Sequence, residues 1–506
     1  MKNNKRLLGF VLILSLFLVT RLYKINEIPP TVYWDEASIG YNAYAISTHL
    51  IDEWGDKLPL HFRAFGEFKL PVYIYTTSFF VKLFGLSTTT IRLPAVLYSL
   101  GILFFTYLLI RKVIGKDWIG IISSLLLCIS PWFFVFSRTG YEATAGLFFF
   151  LLGTYLLLQI ARNKFYFLFA TLSFILSFYS YNSFRIIIPI WFVVLLGFMA
   201  ADFKKAKRYW VVLAISLFIF VISLIPVWKL IRYDAGSSRL AVVSLERKSD
   251  FFKNYFSHFS PEFLFFKGDG NSRSQIPGHG QLYLIEAPFV FLGVWVILKS
   301  KKNLAWLPLL MLLIAPIPAA LTRESPHALR SILMAPSFSF VSAIGIGFAL
   351  DKFRRHKSLI IFSIIMVFSL SFRIYMSDFI SNYSKVSSKD WQYGYREIFL
   401  NYQDEIKDAK KVVISDEYGQ PYIFALYYQK FDIDKFRQTV AYNDVSDWGF
   451  STISSFDKFE FKKIGMEDFK KGNLIFVTGE KPPTNLEPNS KIQFLDGIKA
   501  FDVYKL

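Results

Sequence analysis

The sequence predicts a mainly α-helical membrane protein: a polytopic helix bundle of about eleven spans with interfacial helices, followed by a small extracytoplasmic α/β domain. Two observations support this prediction. Of the 506 residues, 54% are hydrophobic and 19% are aromatic, whereas a soluble domain needs a mostly polar surface. Long apolar runs recur from Leu7 to about Met376 and then stop. We therefore expect a transmembrane domain over residues 1–376 and a soluble domain over residues 377–506.

The predicted spans follow from length, because a helix needs about 20 apolar residues to cross a bilayer. Eleven stretches fit this requirement: 7–23, 91–113, 117–136, 141–162, 165–181, 184–201, 209–231, 281–300, 303–321, 328–352 and 357–376. A further apolar stretch, 70–86, is short and carries Lys82 near its end. Length alone does not decide whether this stretch spans the membrane.

The basic residues decide the topology. The net charge is +19, but Lys and Arg form short clusters between apolar runs, which is typical of cytoplasmic loops and argues against a nucleic-acid partner. The clusters are Lys2/Lys5/Arg6, Arg111/Lys112/Lys116, Arg162/Lys164, Lys204/Lys205/Lys207/Arg208, Lys299/Lys301/Lys302 and Lys352/Arg354/Arg355/Lys357. All six fall on one side if 70–86 lies along the membrane surface as an interfacial helix. We therefore expect a cytoplasmic N-terminus, with loop 24–90, loop 232–280 and the tail outside the cytoplasm.

The first apolar run is expected to remain as an uncleaved span, because residues 20–24 offer no small-residue cleavage site. Cys128 is the single cysteine, so intramolecular disulfides are impossible. We expect a multi-pass protein of a plasma membrane.

The tail alternates short β-like runs with helical stretches. Strands are predicted at 412–415, 474–477 and 501–504, and helices at 419–429 and 456–471. This alternation predicts a small α/β domain.

Two adjacent carboxylates, Asp35 and Glu36, stand just beyond the first span among aromatic residues. From Ala37 the apolar spacing predicts a short amphipathic helix, with the two acids at its N-terminus, where the helix dipole stabilises negative charge. The alternative is that Asp35 simply caps the helix. Capping explains only one of the two carboxylates, so we favour a functional site.

Lys69 and Glu67 lie where the first loop meets the predicted interfacial helix. A lysine in this position can neutralise a lipid phosphate. The alternative is an interfacial lysine whose stem lies along apolar surface while its ammonium reaches water.

Further polar residues stand at the outer ends of spans: Arg138, Tyr141, Glu142, Tyr181, Arg185, His327 and Arg330. Arginines on this side violate the positive-inside bias, and a bound phosphate would account for them. Pairing with local acids, such as Arg138 with Glu142, is the alternative. We favour the phosphate for Arg185 and Arg330 and leave Arg138 open.

Loop 232–280 is rich in glycine and contains His279. Asp269 and Asn271 have the spacing of a fragment of a calcium loop without its full pattern. A divalent metal shared by His279 with Glu67 or Glu36 stays open, and no other cofactor is predicted.

The pattern resembles the GT-C fold membrane glycosyltransferases, in the branch of the protein O-mannosyltransferases and lipid A aminoarabinose transferases. The resemblance rests on Asp35-Glu36 in the first outer loop. The segments that support it are Lys69 before Pro71, Leu83-Phe84-Gly85 with Arg92-Leu93-Pro94, and His327 with Arg330. It covers roughly residues 1–350.

The resemblance implies a glycosyltransferase that moves a sugar from a polyprenyl-phosphate-linked donor to a protein, lipid or glycan acceptor at the extracytoplasmic membrane face. It implies that Asp35 is the base, that Glu36 assists it or positions the acceptor, and that Lys69, Arg330, Arg185 and His327 bind the donor phosphate. One displacement at the anomeric carbon would invert its configuration. Glu67, Arg138, Tyr141, Glu142, Tyr181 and His279 would line the acceptor site.

Three rival functions remain. A transporter would carry charges in mid-span and inverted repeats, whereas the charges here gather at span ends. A lipid or polysaccharide ligase of another fold would not need the early Asp-Glu pair. A non-catalytic receptor would keep its activity after Asp35→Asn.

Overall fold

The computed structural model of the chain describes residues 2–65, 67–160, 162–200, 210–233, 244–444, 452–478 and 484–506. The chain divides into two compact units, each assembled from separate segments. The helical unit comprises Met1–Tyr23, Ala95–Lys229 and Val242–Asp378, and the mixed unit comprises Lys24–Pro94, Leu230–Ala241 and Phe379–Leu506. The loop predicted over residues 24–90 therefore belongs to the same compact unit as the tail. The linear boundary at residues 376/377 stays a prediction.

Helices make up most of the described chain. In chain order they are α1 (Lys2–Leu22), α2 (Trp34–His49), α3 (Pro71–Phe84), α4 (Thr88–Ile114), α5 (Asp117–Ile129), α6 (Pro131–Phe136), α7 (Ala143–Leu157), α8 (Phe165–Phe178), α9 (Asn182–Ala200), α10 (Trp210–Ser223), α11 (Ile225–Tyr233), α12 (Asp250–Ser257), α13 (Ala287–Leu298), α14 (Leu307–Ile314), α15 (Ile317–Ala320), α16 (Met334–Lys352), α17 (Lys357–Ser381), α18 (Tyr383–Ser387), α19 (Tyr393–Asn401), α20 (Gln403–Asp408), α21 (Pro421–Tyr428) and α22 (Ile433–Thr439).

Among the described residues, five helical stretches are long and apolar enough to cross a membrane. They are Thr88–Ile114, Val211–Arg232, Asn303–Ala320, Met334–Lys352 and Arg354–Ser381. Six shorter apolar helices accompany them: Leu7–Leu22, Asp117–Ile129, Ala143–Leu157, Phe165–Phe178, Asn182–Leu195 and Leu284–Leu298. Each predicted span overlaps one of these eleven stretches, which confirms a multi-pass helical membrane fold. The number that actually crosses stays a prediction, and the basic cluster at 204–208 lies outside the described residues.

The stretch 70–86 forms a helix, α3, as predicted. Pro71 stands at its first position, where the missing backbone N–H is not needed, and Gly85 ends it with φ of 78°. Tyr73 and Ile74 are buried, whereas Phe79, Leu83 and Phe84 are exposed. An exposed apolar face of this kind suits a bilayer surface. Its position relative to a membrane stays a prediction.

The mixed unit contains two sheets. The first is a hairpin of β1 (Phe62–Ala64) and β2 (Glu67–Lys69), in which Phe62 lies opposite Lys69. The second has seven strands in the order β4-β5-β6-β3-β7-β9-β8. These strands are β3 (Lys411–Ile414), β4 (Ala441–Tyr442), β5 (Ile453–Phe456), β6 (Phe459–Phe461), β7 (Asn473–Val477), β8 (Ser490–Gln493) and β9 (Lys499–Lys505). Strand β3 runs parallel to both of its neighbours, and the other pairs are antiparallel.

The predicted α/β tail is confirmed, with one error. The three predicted strands correspond to β3, β7 and β9, and the helix over 419–429 corresponds to α21. The helix predicted over 456–471 is wrong, because this stretch contains β6 and a 3-10 turn at Met466–Asp468. Phe456 and Phe459 have helical spacing, but they lie opposite each other in a tight antiparallel pair.

Helix α2 packs against α21 of the tail. The close approach requires Gly40, because a Cβ there would lie 2.5 Å from the Ile91 side chain and 3.0 Å from the Tyr427 ring. Ten of the sixteen α2 residues are buried, Glu36 among them, so the amphipathic pattern predicted for this helix is wrong. The acidic pair therefore begins a helix that is enclosed on most sides.

Candidate active site

Asp35 and Glu36 lie in the first turn of α2, as the sequence predicts. The helix begins at Trp34 after Tyr33, and no side chain caps it. Asp35 is therefore inside the helix and does not serve as its N-cap. Both carboxylates lie where the exposed N–H groups of the helix favour negative charge.

Asp35 is paired with Lys69. The Lys69 Nζ lies 2.6 Å from Asp35 Oδ1, and the side chains are 3% and 26% exposed. The lysine stands at the end of β2, opposite Phe62, so the hairpin aims its stem at the start of α2. Because the Lys69 ammonium is buried, Lys69 is not an interfacial lysine whose ammonium reaches water. This ion pair leaves the Asp35 carboxylate reachable from solvent while its cation is enclosed.

Glu36 has a different environment from its neighbour. Arg92 donates from Nε to Oε1 and from Nη2 to Oε2, both at 2.9 Å, and both side chains are fully buried. The same guanidinium donates to the carbonyls of Ile25 and Thr31 at 2.7 and 2.6 Å. A bidentate pair with further carbonyl partners is the arrangement in which a buried ion pair is stable.

The tail also holds the start of α2. The Gln392 side chain accepts a hydrogen bond from the Trp34 backbone N–H at 3.0 Å. Trp391 lies under the Arg92 guanidinium at 5.7 Å and edge-on to the Tyr33 ring at 5.3 Å. Sequence reasoning missed Gln392 and Trp391, since nothing local marks a contact across more than 350 residues.

A second polar cluster, here called the late cluster, lies in the helical unit and consists of His258, Asp269, His327 and Arg330. Asp269 Oδ2 accepts from the Ala328 backbone N–H at 2.6 Å and lies 3.7 Å from His327 Nδ1. Arg330 donates to Thr322 at 2.8 Å and lies 3.4 Å from Glu324. The predicted pair His327 and Arg330 thus lies in one loop that Asp269 holds in place.

Both histidines of the late cluster are neutral. His258 Nε2 accepts the His327 backbone N–H at 3.1 Å, so its proton is on Nδ1, which donates to the Asn254 carbonyl at 2.9 Å. Burial lowers the pKa of His258 to about 4. Burial also lowers the pKa of His327 well below 6.5, and the positive charges of Arg330 and Arg273 lower it further. The two arginines therefore create a positive local potential, and Arg273 is a residue that sequence reasoning missed.

Arg185 and Tyr181 lie near the start of α9. The Arg185 guanidinium lies 5.4 Å from the Phe178 ring, in cation–π geometry. Tyr181 is partly exposed, and its Cβ lies beside Gly146. Both are thus close to the loop between α8 and α9.

The remaining predicted site residues have structural contacts. Arg138 donates to the carbonyls of Thr20 and Tyr23 at 2.9 and 2.7 Å, so it neutralises the C-terminal end of α1. Tyr141 donates to the Arg273 carbonyl at 3.3 Å, and Glu142 directly precedes α7.

His279 lies 2.8 Å from Asp378 and edge-on to Tyr375 at 5.2 Å. No group of three His, Cys, Asp or Glu side chains that could hold a metal is found among the described residues. The side chain of Glu67 is outside the described part of the chain. A metal requirement therefore stays open.

Comparison with known proteins supports the fold. Residues 69–228 match the family model of the dolichyl-phosphate-mannose-protein mannosyltransferases. No curated protein matches the chain. Among solved structures, the chain is similar to apo ArnT from Cupriavidus metallidurans, with a TM-score of 0.52 and 10% identity over 85% of each chain. It is also similar to the Archaeoglobus fulgidus oligosaccharyltransferase, with a TM-score of 0.53 and 15% identity over 83% of this chain and 61% of that one.

The two TM-scores establish the fold, and the family match covers the segment from Lys69 into α11. The resemblance seen in the sequence is thereby confirmed: the chain has the fold of the GT-C membrane glycosyltransferases.

Proposed function

We propose that this protein transfers a sugar from a polyprenyl-phosphate-linked donor to an acceptor hydroxyl at the extracytoplasmic membrane face, with inversion at the anomeric carbon. The observation on which the proposal rests is the pair of Asp35 and Lys69, 2.6 Å apart, with the carboxylate partly exposed and the ammonium buried. The matching family model, whose description names a dolichyl-phosphate sugar, supports this class of donor.

In the proposed reaction Asp35 is the base. The acceptor oxygen forms a bond to the anomeric carbon and passes its proton to the Asp35 carboxylate. The bond from the anomeric carbon to the phosphate oxygen breaks, and its electron pair leaves with the lipid phosphate. General-base catalysis of this kind contributes about 10²–10⁴-fold to the rate.

Lys69 is proposed to stabilise first the Asp35 carboxylate and then the leaving phosphate. In the free protein its ammonium stabilises the Asp35 carboxylate. As negative charge develops on the leaving phosphate, the ammonium can shift its interaction toward that oxygen, which leaves Asp35 better able to hold a proton. Arg330, His327 and Arg185 are proposed to bind the phosphate, and the two arginines beside His327 support that assignment.

Glu36 is proposed to position Asp35 without touching the acceptor. Its carboxylate is fully buried and engaged with Arg92 on both oxygens. Because Glu36 and Asp35 are consecutive in one helical turn, the Arg92 pair holds the backbone that carries the base.

The donor is identified by incubating proteoliposomes with a panel of polyprenyl-phosphate sugars and measuring release of the free lipid phosphate. We expect at least one donor to be consumed by the wild type and turnover by Asp35→Asn to be lower by about a hundredfold or more. Asp56→Asn is the matched control, since Asp56 is a half-exposed acid of the same loop that pairs with Arg63. Equal turnover by all three proteins across the panel would refute the proposal.

The proposed orientation is tested by thiol labelling, because Cys128 is buried and leaves a low background. Asp496→Cys and Lys301→Cys each place one thiol at an exposed position. A membrane-impermeant maleimide should label the cysteine at 496 in intact cells and the one at 301 only after lysis. The reverse pattern would put the tail and the acidic pair in the cytoplasm.

A further inference from the structure

Strand β3 is a topological switch point in the seven-stranded sheet. It pairs in parallel with β6 on one side and with β7 on the other. In open sheets with parallel strands, ligands bind in the crevice outside the carboxyl ends of the strands where the strand order reverses. In this sheet that position is the segment that follows Ile414.

The segment is lined by a chain of hydrogen-bonding groups. Ser415 directly follows β3 and Thr478 directly follows β7, and their buried hydroxyls lie 2.8 Å apart. Thr478 in turn donates to the carboxylate of Glu417. Asp416 and Glu417 are exposed, and neither forms an ion pair within the described part of the chain. We call Ser415–Gln420 together with Thr478 the switch-point edge.

A buried hydroxyl at this edge lacks a partner. The Tyr395 ring is fully buried, stacked on Phe424 at 4.6 Å and tilted against Phe501 at 5.4 Å. Its hydroxyl has no hydrogen-bond partner among the described residues. Burial raises the pKa of Tyr395, and the nearby Asp416, Tyr418 and Glu417 raise it further. Leaving a buried hydroxyl unpaired costs about 1–3 kcal/mol, so a ligand that pairs with it would recover that energy.

The switch-point edge adjoins the start of α2. Gln392 donates to the Tyr418 carbonyl at 2.5 Å while it accepts from the Trp34 N–H. Gly419 has φ of 113°, and a Cβ there would lie 2.3 Å from the Trp34 ring. The edge is thus in contact with the residue that precedes Asp35.

We propose that the switch-point edge is the acceptor subsite and that it takes a neutral, hydroxyl-rich carbohydrate. This inference rests on the proposed function. Sugar hydroxyls both donate and accept, which matches the carboxylates of Asp416 and Glu417, the hydroxyls of Ser415 and Thr478, and the adjoining hydroxyl of Tyr395. The partly exposed Trp34 provides an aromatic ring beside them.

The charge of the edge decides between ligand classes. Asp416 and Glu417 disfavour anionic glycans, because a second negative charge would meet two carboxylates without a compensating cation in the described residues. A lysine-rich peptide would satisfy the carboxylates, but its ammonium groups only donate hydrogen bonds, so the O–H of Tyr395 would still lack an acceptor. A neutral sugar satisfies both kinds of group.

Binding is tested without donor, on an array that carries neutral oligosaccharides, uronate-containing oligosaccharides and lysine-rich peptides, with the full-length protein in nanodiscs. We expect capture by neutral oligosaccharides, and a loss of about tenfold or more in affinity for the double variant Asp416→Asn/Glu417→Gln. The matched control is Asp404→Asn/Glu405→Gln, an Asp-Glu pair of α20 in the same domain. Capture by lysine-rich peptides alone, or equal capture by both double variants, would overturn the inference.

Tyr395→Phe provides the second variant, because it keeps the ring and removes only the unpaired hydroxyl. We expect a melting temperature no lower than that of the wild type and an affinity for the captured oligosaccharide reduced about threefold to tenfold. Unchanged affinity in this variant and in Asp416→Asn/Glu417→Gln would remove the edge as a site. Donor cleavage without glycan binding would overturn this inference alone, whereas glycan binding without cleavage of any donor would overturn the proposed function alone.

Discussion

At the start of α2 each acidic side chain has a cation beside it, whereas in the late cluster Asp269 and Arg330 accompany two neutral histidines. Lys69 pairs with Asp35, and Arg92 pairs with Glu36. In the late cluster His327 is uncharged, because burial and the nearby Arg330 and Arg273 oppose its protonation. The first region is electrostatically balanced and can receive a neutral hydroxyl, whereas the arginines beside the uncharged His327 suit an anion. This difference supports the proposal that the acceptor binds at the first region and the donor phosphate at the late cluster.

The largest expected effect at the start of α2 comes from removing one member of the buried pair of Glu36 and Arg92. Glu36→Ala leaves Arg92 fully buried without its carboxylate and should destabilise the protein by about 3–5 kcal/mol. The measurement is thermal unfolding in detergent together with the yield of monodisperse protein. The double variant Glu36→Leu/Arg92→Met removes both charges and should recover most of the loss. A single variant as stable as the wild type would show that the pair does not hold the start of α2.

This pair also marks the limit of what the sequence could predict. The apolar spans were predictable, since composition over about 20 residues is a local property. The acidic pair and Lys69 were recognisable because both lie in the first predicted loop, 34 residues apart. Arg92 stands inside an apolar run 56 residues from Glu36, and Gln392 reaches Trp34 across 358 residues. Contacts between residues so far apart in the sequence depend on tertiary packing, and no local sequence pattern predicts them.

The tail illustrates a different limit. Strands β3, β7 and β9 were predictable because each contains several β-branched or aromatic residues. The segment around Phe456 was not, since the spacing of Phe456 and Phe459 fits a helix as well as a tight hairpin. The switch-point edge could not be predicted from the sequence, because it depends on the order of the strands in the sheet.

In the late cluster, Arg330→Gln should raise KM for the donor. A hydrogen bond to a charged group contributes about 1.5–3 kcal/mol, which corresponds to about tenfold to a hundredfold in KM. Arg323→Gln is the matched control, because Arg323 lies in the same loop, is half-exposed and pairs with Glu246 at 3.2 Å. An equal change in KM for Arg330→Gln and Arg323→Gln would show that Arg330 has no specific role in binding the donor phosphate.

The neutral state of His258 predicts a pH dependence of stability. The pKa is about 4 in the folded protein and about 6.5 in the unfolded chain, so below pH 6.5 the unfolded chain binds more protons. Stability therefore falls as the pH is lowered from 6.5 toward 4, and by pH 5 the loss is about 2 kcal/mol.

The measurement for His258 is the melting temperature at pH 7.5 and at pH 5. His258→Gln keeps a donor and an acceptor without the ionisation, so the difference between the two values should shrink. His356→Gln is the matched control, because His356 is exposed, and it should not change the difference in melting temperature between the two pH values. An unchanged difference in His258→Gln would mean that other groups set the acid sensitivity.

The role of Asp35 as the base is tested most directly by chemical rescue. Asp35→Ala removes the carboxylate beside Lys69, and single-turnover transfer from the identified donor should fall by about a hundredfold or more. Adding formate supplies a small carboxylate to the vacated space and should restore part of the rate, whereas it should not affect Asp56→Ala. A rate within about tenfold of the wild type without formate, or a lost rate that neither formate nor acetate restores, would contradict the account.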